Sequence, residues 1–154
     1  MTSNALVGTW RLVSHVYTSE DGDAVHPWGD AGGYIMYGAD GYMSVVISDR
    51  DRPNFASGDV KGGTIEERAA AASGYVSYCG RYELKEDHVV HHIEAALFPN
   101  RVGTQQVRYF TLAGDTLSLR TVPMLVEGKV RVGELVWERV ESGLPSPQSS
   151  PSPR

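Results

Sequence analysis

The strongest constraint on this chain is a period of two. Short stretches of β-branched and aromatic residues alternate with polar ones, and Gly, Asp, Asn and Pro cut them apart. The segment "GYIMYGADGYMSV" is the clearest case. Two alternating runs flank "GADG" at 38–41, whose glycines allow the positive φ that a tight hairpin requires. "AGD" at 113–115 plays the same part further on. This pattern gives eight strands, near 9–19, 33–38, 42–48, 77–85, 88–97, 104–112, 115–122 and 130–140. Consecutive strands on short turns favour an antiparallel meander, and closing it into a barrel removes the exposed edges. The expected fold is all-β: an eight-stranded antiparallel barrel, wide enough for one small ligand.

One helix is expected after the third strand, in "TIEERAAAASGYV". Thr64 and Glu67 form a capping box, the alanine run favours helix, and Gly74 is placed to stop it. Ile65, Ala69 and Ala72 share a stripe expected to lie against the barrel, either as a brace or as a guard over a ligand entrance. Two loops, 20–32 and 49–63, each carry a lone aromatic, Trp28 and Phe55, that reads as a ligand lid or as a hydrophobic anchor. Residues 1–141 make one domain. The tail 142–154, "SGLPSPQSSPSPR", has too little apolar content to pack and is expected to be disordered.

Charge and composition narrow the partners. The net charge is −5 and no stripe of Lys and Arg forms, which argues against nucleic acid, where phosphate neutralisation dominates binding. No apolar run approaches the ~20 residues a membrane span needs. The N-terminal "MTSNALVGTW" has no secretory pattern, so a cytoplasmic protein is expected. The single Cys79 excludes an internal disulfide and a multi-cysteine zinc site, and it reads as a buried, inert thiol. No phosphate-cradling loop and no nucleophile elbow is present.

The stretch "VVHHIEAALFPN" at 89–100 invites a metal or acid/base reading. Alternation puts Val89, His91, Ile93, Ala95 and Leu97 on one face, expected inward, and His88, Val90, His92, Glu94 and Ala96 on the other. His91 and His92 therefore cannot share an ion. His88, His92 and Glu94 share a face but extend over roughly 20 Å, too far for one metal. His91 remains as a lone inward imidazole. It is either a satisfied core histidine or a ligand-contacting, acid/base group whose burial would favour the neutral form. Its expected neighbours are Tyr37, Met43, Tyr78 and Tyr82. On 104–112 the alternation is poor: Tyr109 is taken as inward, completing a tyrosine wall, with Arg108 as the alternative that would place a cation in the cavity.

The chain opens with "LVGTWRLVS" and closes its last strand with "ELVWERV". Gly8-Thr9-Trp10 resembles the first-strand signature of lipocalins, in which the Trp plugs the closed barrel end under a late Arg, here Arg139 or less well Arg120. With "GYIMYGADGYMSV", "DRPNFASGD" and "VVHHIEAALFPNRVGTQQVRYF", residues 5–140 resemble the bacterial and fungal lipocalin-like domain family. That resemblance implies a calycin-type barrel. It also brings in small barrels of natural-product pathways that act as cyclases on folded polyenes. A haem-binding calycin would need a proximal late-strand His, and no further motif supports one.

The expected function is a cofactor-independent cyclase or isomerase that folds a hydrophobic secondary metabolite by positioning. The alternative is a non-catalytic carrier of a hydrophobic small molecule. Catalysis falls to His91, Tyr78 and Tyr109, and ligand contact to Trp10, Trp28, Tyr37, Met43, Tyr82, Arg108 and Trp137. No metal, cofactor, nucleic-acid or membrane partner is expected, and a homodimer is compatible with this reading.

Overall fold

The structure, a computed structural model, describes residues 4–145. Ten strands follow in order: β1 (Gly8–Ser19), β2 (Ala24–Val25), β3 (Ala31–Tyr37), β4 (Tyr42–Asp49), β5 (Tyr75–Leu84), β6 (His88–Ala96), β7 (Gln105–Ala113), β8 (Thr116–Thr121), β9 (Met124–Val126) and β10 (Lys129–Arg139). The helix α1 (Ile65–Ser73) lies between β4 and β5, and one 3-10 turn (Pro99–Arg101) follows β6. Strands β1, β3 to β8 and β10 form an antiparallel meander that closes where β1 pairs with β10, from Trp10↔Arg139 to Ser19↔Arg131. The eight-stranded antiparallel barrel is as expected. The helix follows β4, the strand expected at 42–48, which is fourth rather than third in chain order because the short β2 precedes it. The two-residue β2, too short to leave a periodic signal, pairs with β1 inside the loop 20–32. β9 likewise adds a short hairpin on β10. The expected tail extends past residue 145, outside the described residues.

Two glycines let strands bend tightly enough to close. At Gly33 (φ +152) and Gly80 an added Cβ would run into the backbone carbonyls of Val46 and His92 respectively. Gly80 also sits at a β-bulge, where the β5–β6 register slips between Cys79 and Gly80 and leaves Glu94 unpaired. The slip reverses the phase of β6. Val89, His91 and Ile93 are buried as alternation demands, but Ala95 is exposed, Leu97 is exposed, and Ala96 packs on the core instead. A second slip, between Leu12 and Ser14, turns β1 so that Trp10 and Leu12 point inward at one end and His15 and Ser19 are buried at the other.

Thr64 caps α1 as expected, its Oγ1 accepting from the Glu67 amide at 3.1 Å while the Glu67 carboxylate accepts from the Thr64 amide at 2.8 Å. The helix buries none of its residues, and Ile65 is 82% exposed. The expected small-residue seam against the barrel is absent, because four successive alanines offer too little area to dock on. Phe55 packs outside the barrel against Gly63 and beside α1, so it anchors its loop and is no lid. Cys79 points away from Tyr78 and Tyr82 but is exposed, not buried, since the outer face of β5 is uncovered there.

Candidate ligand-binding site

The meander has a closed end and an open end. At the closed end the segment before β1 crosses the barrel: the Trp10 indole Nε1 donates to the Leu6 carbonyl at 2.9 Å, and Asn4 reaches the Tyr82 hydroxyl at 2.9 Å. The Arg139 guanidinium lies 4.2 Å above the Trp10 ring and donates to the carbonyls of Val7 and Ala5 at 3.0 and 2.9 Å. Cation–π attraction and two charged hydrogen bonds thus fasten the end of β10 to the start of β1 and the segment before it. Tyr37 and Met43 pair across β3 and β4 next to this plug. The Tyr82 hydroxyl donates to the Gly38 carbonyl at 2.7 Å.

His91 sits above that plug and is wholly buried. Its Nε2 is 2.7 Å from the Tyr37 hydroxyl and its Nδ1 is 2.7 Å from the Tyr78 hydroxyl. Burial, then the Arg108 charge, holds its pKa down to about 3, so the imidazole is neutral near neutral pH. A neutral imidazole has one donor and one acceptor, and the buried Tyr37 hydroxyl has only His91 to donate to among the described residues. In the tautomer that satisfies the fully buried Tyr37 O–H, Tyr37 donates to Nε2, His91 carries its proton on Nδ1 and donates to Tyr78, and the Tyr78 O–H is left without a partner among the described residues. Burial pushes the Tyr37 phenol well above its ordinary pKa.

Tyr78 and His91 line a small inner chamber of about 50 Å³, together with Arg101, Arg108, Thr121 and Trp137. The chamber shares Tyr17, Ile47, Val76, Arg101 and Met124 with a wider mouth of about 470 Å³. Trp28, Phe98 and Leu125 form much of the mouth's apolar rim. That volume lies in the range of ordinary small-molecule pockets. Trp28 tilts over the His15 ring at 5.7 Å, and burial lowers the His15 pKa. Two buried ring nitrogens, His15 Nε2 and Trp137 Nε1, have no hydrogen-bond partner among the described residues.

The expected site residues thus separate into three groups. Tyr78, His91, Arg108 and Trp137 meet at the inner chamber, and Trp28 stands at the mouth. Trp10, Tyr37, Met43 and Tyr82 pack the closed end and do not reach the cavity wall, because the plug fills that end; Tyr37 acts only through His91. Tyr109 points outward, against His88 and Arg120, and Arg108 takes the inward position. The register Val89↔Arg108 decides this, since β7 must match the inward phase of Val89 on β6. His88, His92 and Glu94 face outward and engage Asp87, Glu83 and Arg81. Among the described residues no three His, Cys, Asp or Glu side chains form a metal-binding group.

Sequence reasoning missed His15, Tyr17, Arg101 and Met124. The first two reach the site only because of the bulge in β1, while Arg101 comes from the 3-10 turn and Met124 from the short strand β9. Residues 7–140 match a family model described as a lipocalin-like domain. The chain belongs to the lipocalin-like domain family. Among curated proteins, this lipocalin-like chain is similar to the 4'-hydroxy-3'-methoxypropiophenone carrier protein ppsC of Aspergillus oryzae. The two are 30% identical over 107 residues, covering 64% of this chain and 96% of the relative. No helix among the described residues is long and apolar enough to cross a membrane.

Proposed function

We propose that this lipocalin-like barrel is a carrier for a small, flat, mostly apolar molecule with oxygen functions at one end. The apolar body lies in the mouth beside Trp28 and Phe98, and the oxygen end enters the inner chamber near Tyr78. The observation that carries this reading is the locked hydrogen-bond chain Tyr37–His91–Tyr78. Giving a proton to the ligand through that chain would leave a phenolate at Tyr37, whose burial disfavours that form. Taking a proton would charge an imidazole held near 3. The chain is thus a fixed donor and a poor acid or base, which suits holding a molecule more than converting it. The similarity to a propiophenone carrier points the same way.

The test is titration of the full chain with 4'-hydroxy-3'-methoxypropiophenone, followed by tryptophan fluorescence and calorimetry, with the recovered ligand checked by NMR. Saturable one-to-one binding with unchanged ligand is expected. Absence of binding refutes the proposal. A second reading, the cyclase or isomerase, draws support from the free Tyr78 O–H beside two guanidinium groups, an arrangement able to polarise a carbonyl. A new species in the NMR spectrum that a Tyr78→Phe variant fails to produce would replace the carrier reading with this one.

A further inference from the structure

Resting on the carrier reading, we infer that the inner chamber takes its ligand as an oxyanion: a phenolate or carboxylate at the end of a flat apolar body, held by Arg101 and Arg108.

The Arg108 side chain is buried, at 7% exposure, and among the described residues it forms no ion pair; its hydrogen bond goes to the carbonyl of Val107 at 3.0 Å. Arg131, buried to a similar degree, shows how this protein otherwise treats such a group. Its Nη2 meets the Asp23 carboxylate at 3.0 Å, Nη1 donates to the Asp23 carbonyl and Nε to the Val126 carbonyl. Arg101 also has no ion pair among the described residues and lies 5.5 Å from the Tyr78 ring centre. Its pKa is lowered, by burial and by the charge of Arg108. A buried charge without a partner is expensive, and two of like sign in one chamber more so.

Among the described residues no Asp or Glu lines the chamber or its mouth. The carboxylates of neighbouring strands are engaged elsewhere. Glu83 and Glu94 face outward to His92 and Arg81, and Asp21 and Asp23 at the rim are bound by Lys129 and Arg131. Of the other titratable groups facing the chamber, burial lowers the pKa of His91 and raises that of Tyr17, which keeps both neutral. The Trp137 N–H and the Tyr78 O–H, both without an acceptor among the described residues, add two more donors to the same wall. Donors without a matching anion call for one from the ligand, and guanidinium groups hold planar oxyanions with charge-assisted bonds. A para-acylphenol is suited to this, because its carbonyl withdraws charge from the phenolate. Nearby cations lower its pKa further, and the released proton goes to solvent.

The experiment compares four probes with the full chain: 4'-hydroxy-3'-methoxypropiophenone, its 4'-O-methyl ether, veratrate and methyl veratrate. If the anion is a phenolate, the phenol binds at least about tenfold tighter than its ether, a one-unit fall in ligand pKa. Its phenolate absorption band then appears on binding at a pH where the free ligand is neutral. If it is a carboxylate, veratrate exceeds its ester by a similar factor. Either preference supports the inference and identifies the source. Arg108→Met should abolish the preference. Arg101→Met, at a half-buried position and so less disruptive to folding, should reduce it several-fold, with circular dichroism confirming the fold of both. Equal binding of phenol and ether, with a neutral spectrum and no preference for acid over ester, overturns the inference and leaves the carrier reading intact. Failure of all four probes to bind removes both.

Discussion

Tyr37→Phe tests the hydrogen-bond chain at the point where the structure is most specific. The change removes one oxygen and keeps the ring, so the edge contact of Tyr37 with Tyr82, at 5.0 Å between centres, survives. What is lost is the 2.7 Å bond to His91 Nε2, and the imidazole has no other partner for that atom among the described residues. Leaving a buried ring nitrogen unsatisfied costs about 2 kcal/mol. For a chain of this size that corresponds to a melting-temperature fall of roughly 4–8 °C. The tautomer is also released: His91 can now carry its proton on Nε2 and accept from Tyr78, which withdraws the Tyr78 donor from the chamber. Ligand affinity should therefore fall severalfold although Tyr37 does not line the cavity. Differential scanning calorimetry and the propiophenone titration read the two effects. A melting temperature within about 1 °C of the parent, with unchanged affinity, would refute the donor assignment. A Tyr37→Phe/His91→Leu double variant should cost less than the sum of the two single changes, because each single change leaves a stranded partner.

Acidification should destabilise the barrel from an unusually high pH. The folded pKa of His91 is near 3 against an ordinary 6.5, so its contribution is fully present above 6.5 and is lost progressively as pH falls towards 3. His15 shifts in the same direction, and urea midpoints measured from pH 7 to 4 should fall, less steeply in His91→Leu. Gly80→Ala places a Cβ against the His92 carbonyl and should cost about 3 kcal/mol, read by urea unfolding; near-neutrality would mean that the bulge can relax. Arg139→Ala removes the clasp over Trp10 and should cost about 1–2 kcal/mol, with Arg139→Lys recovering part of it in the same thermal melts.

Alternation carried the barrel almost whole, because every strand has one face on the core and a period of two cannot be mistaken for a helix over so many segments. It placed His91 inward and Tyr78 beside it. It failed where periodicity itself is interrupted. The slip beside Gly80 inverts the end of β6, and the slip after Leu12 brings in His15. On β7 both faces mix polar and aromatic residues, so only the pairing with Val89 could tell Arg108 from Tyr109. Arg101 comes from an irregular turn, and its place in the chamber depends on three-dimensional closure that no local pattern records.

The clasp at the closed end also sets a timetable for synthesis. Trp10 and Arg139 are 129 positions apart (139 − 10), and β1 cannot complete its pairing until β10 has left the ribosome. At roughly 10 residues per second that is a wait on the order of ten seconds. Throughout it the nascent sheet carries a free edge along β1, and the contact that ends the exposure is among the most distant in the chain. Folding of this barrel should therefore be limited by the seam, and a chaperone that shields β1 would act on the earliest and longest-lived vulnerability the chain has.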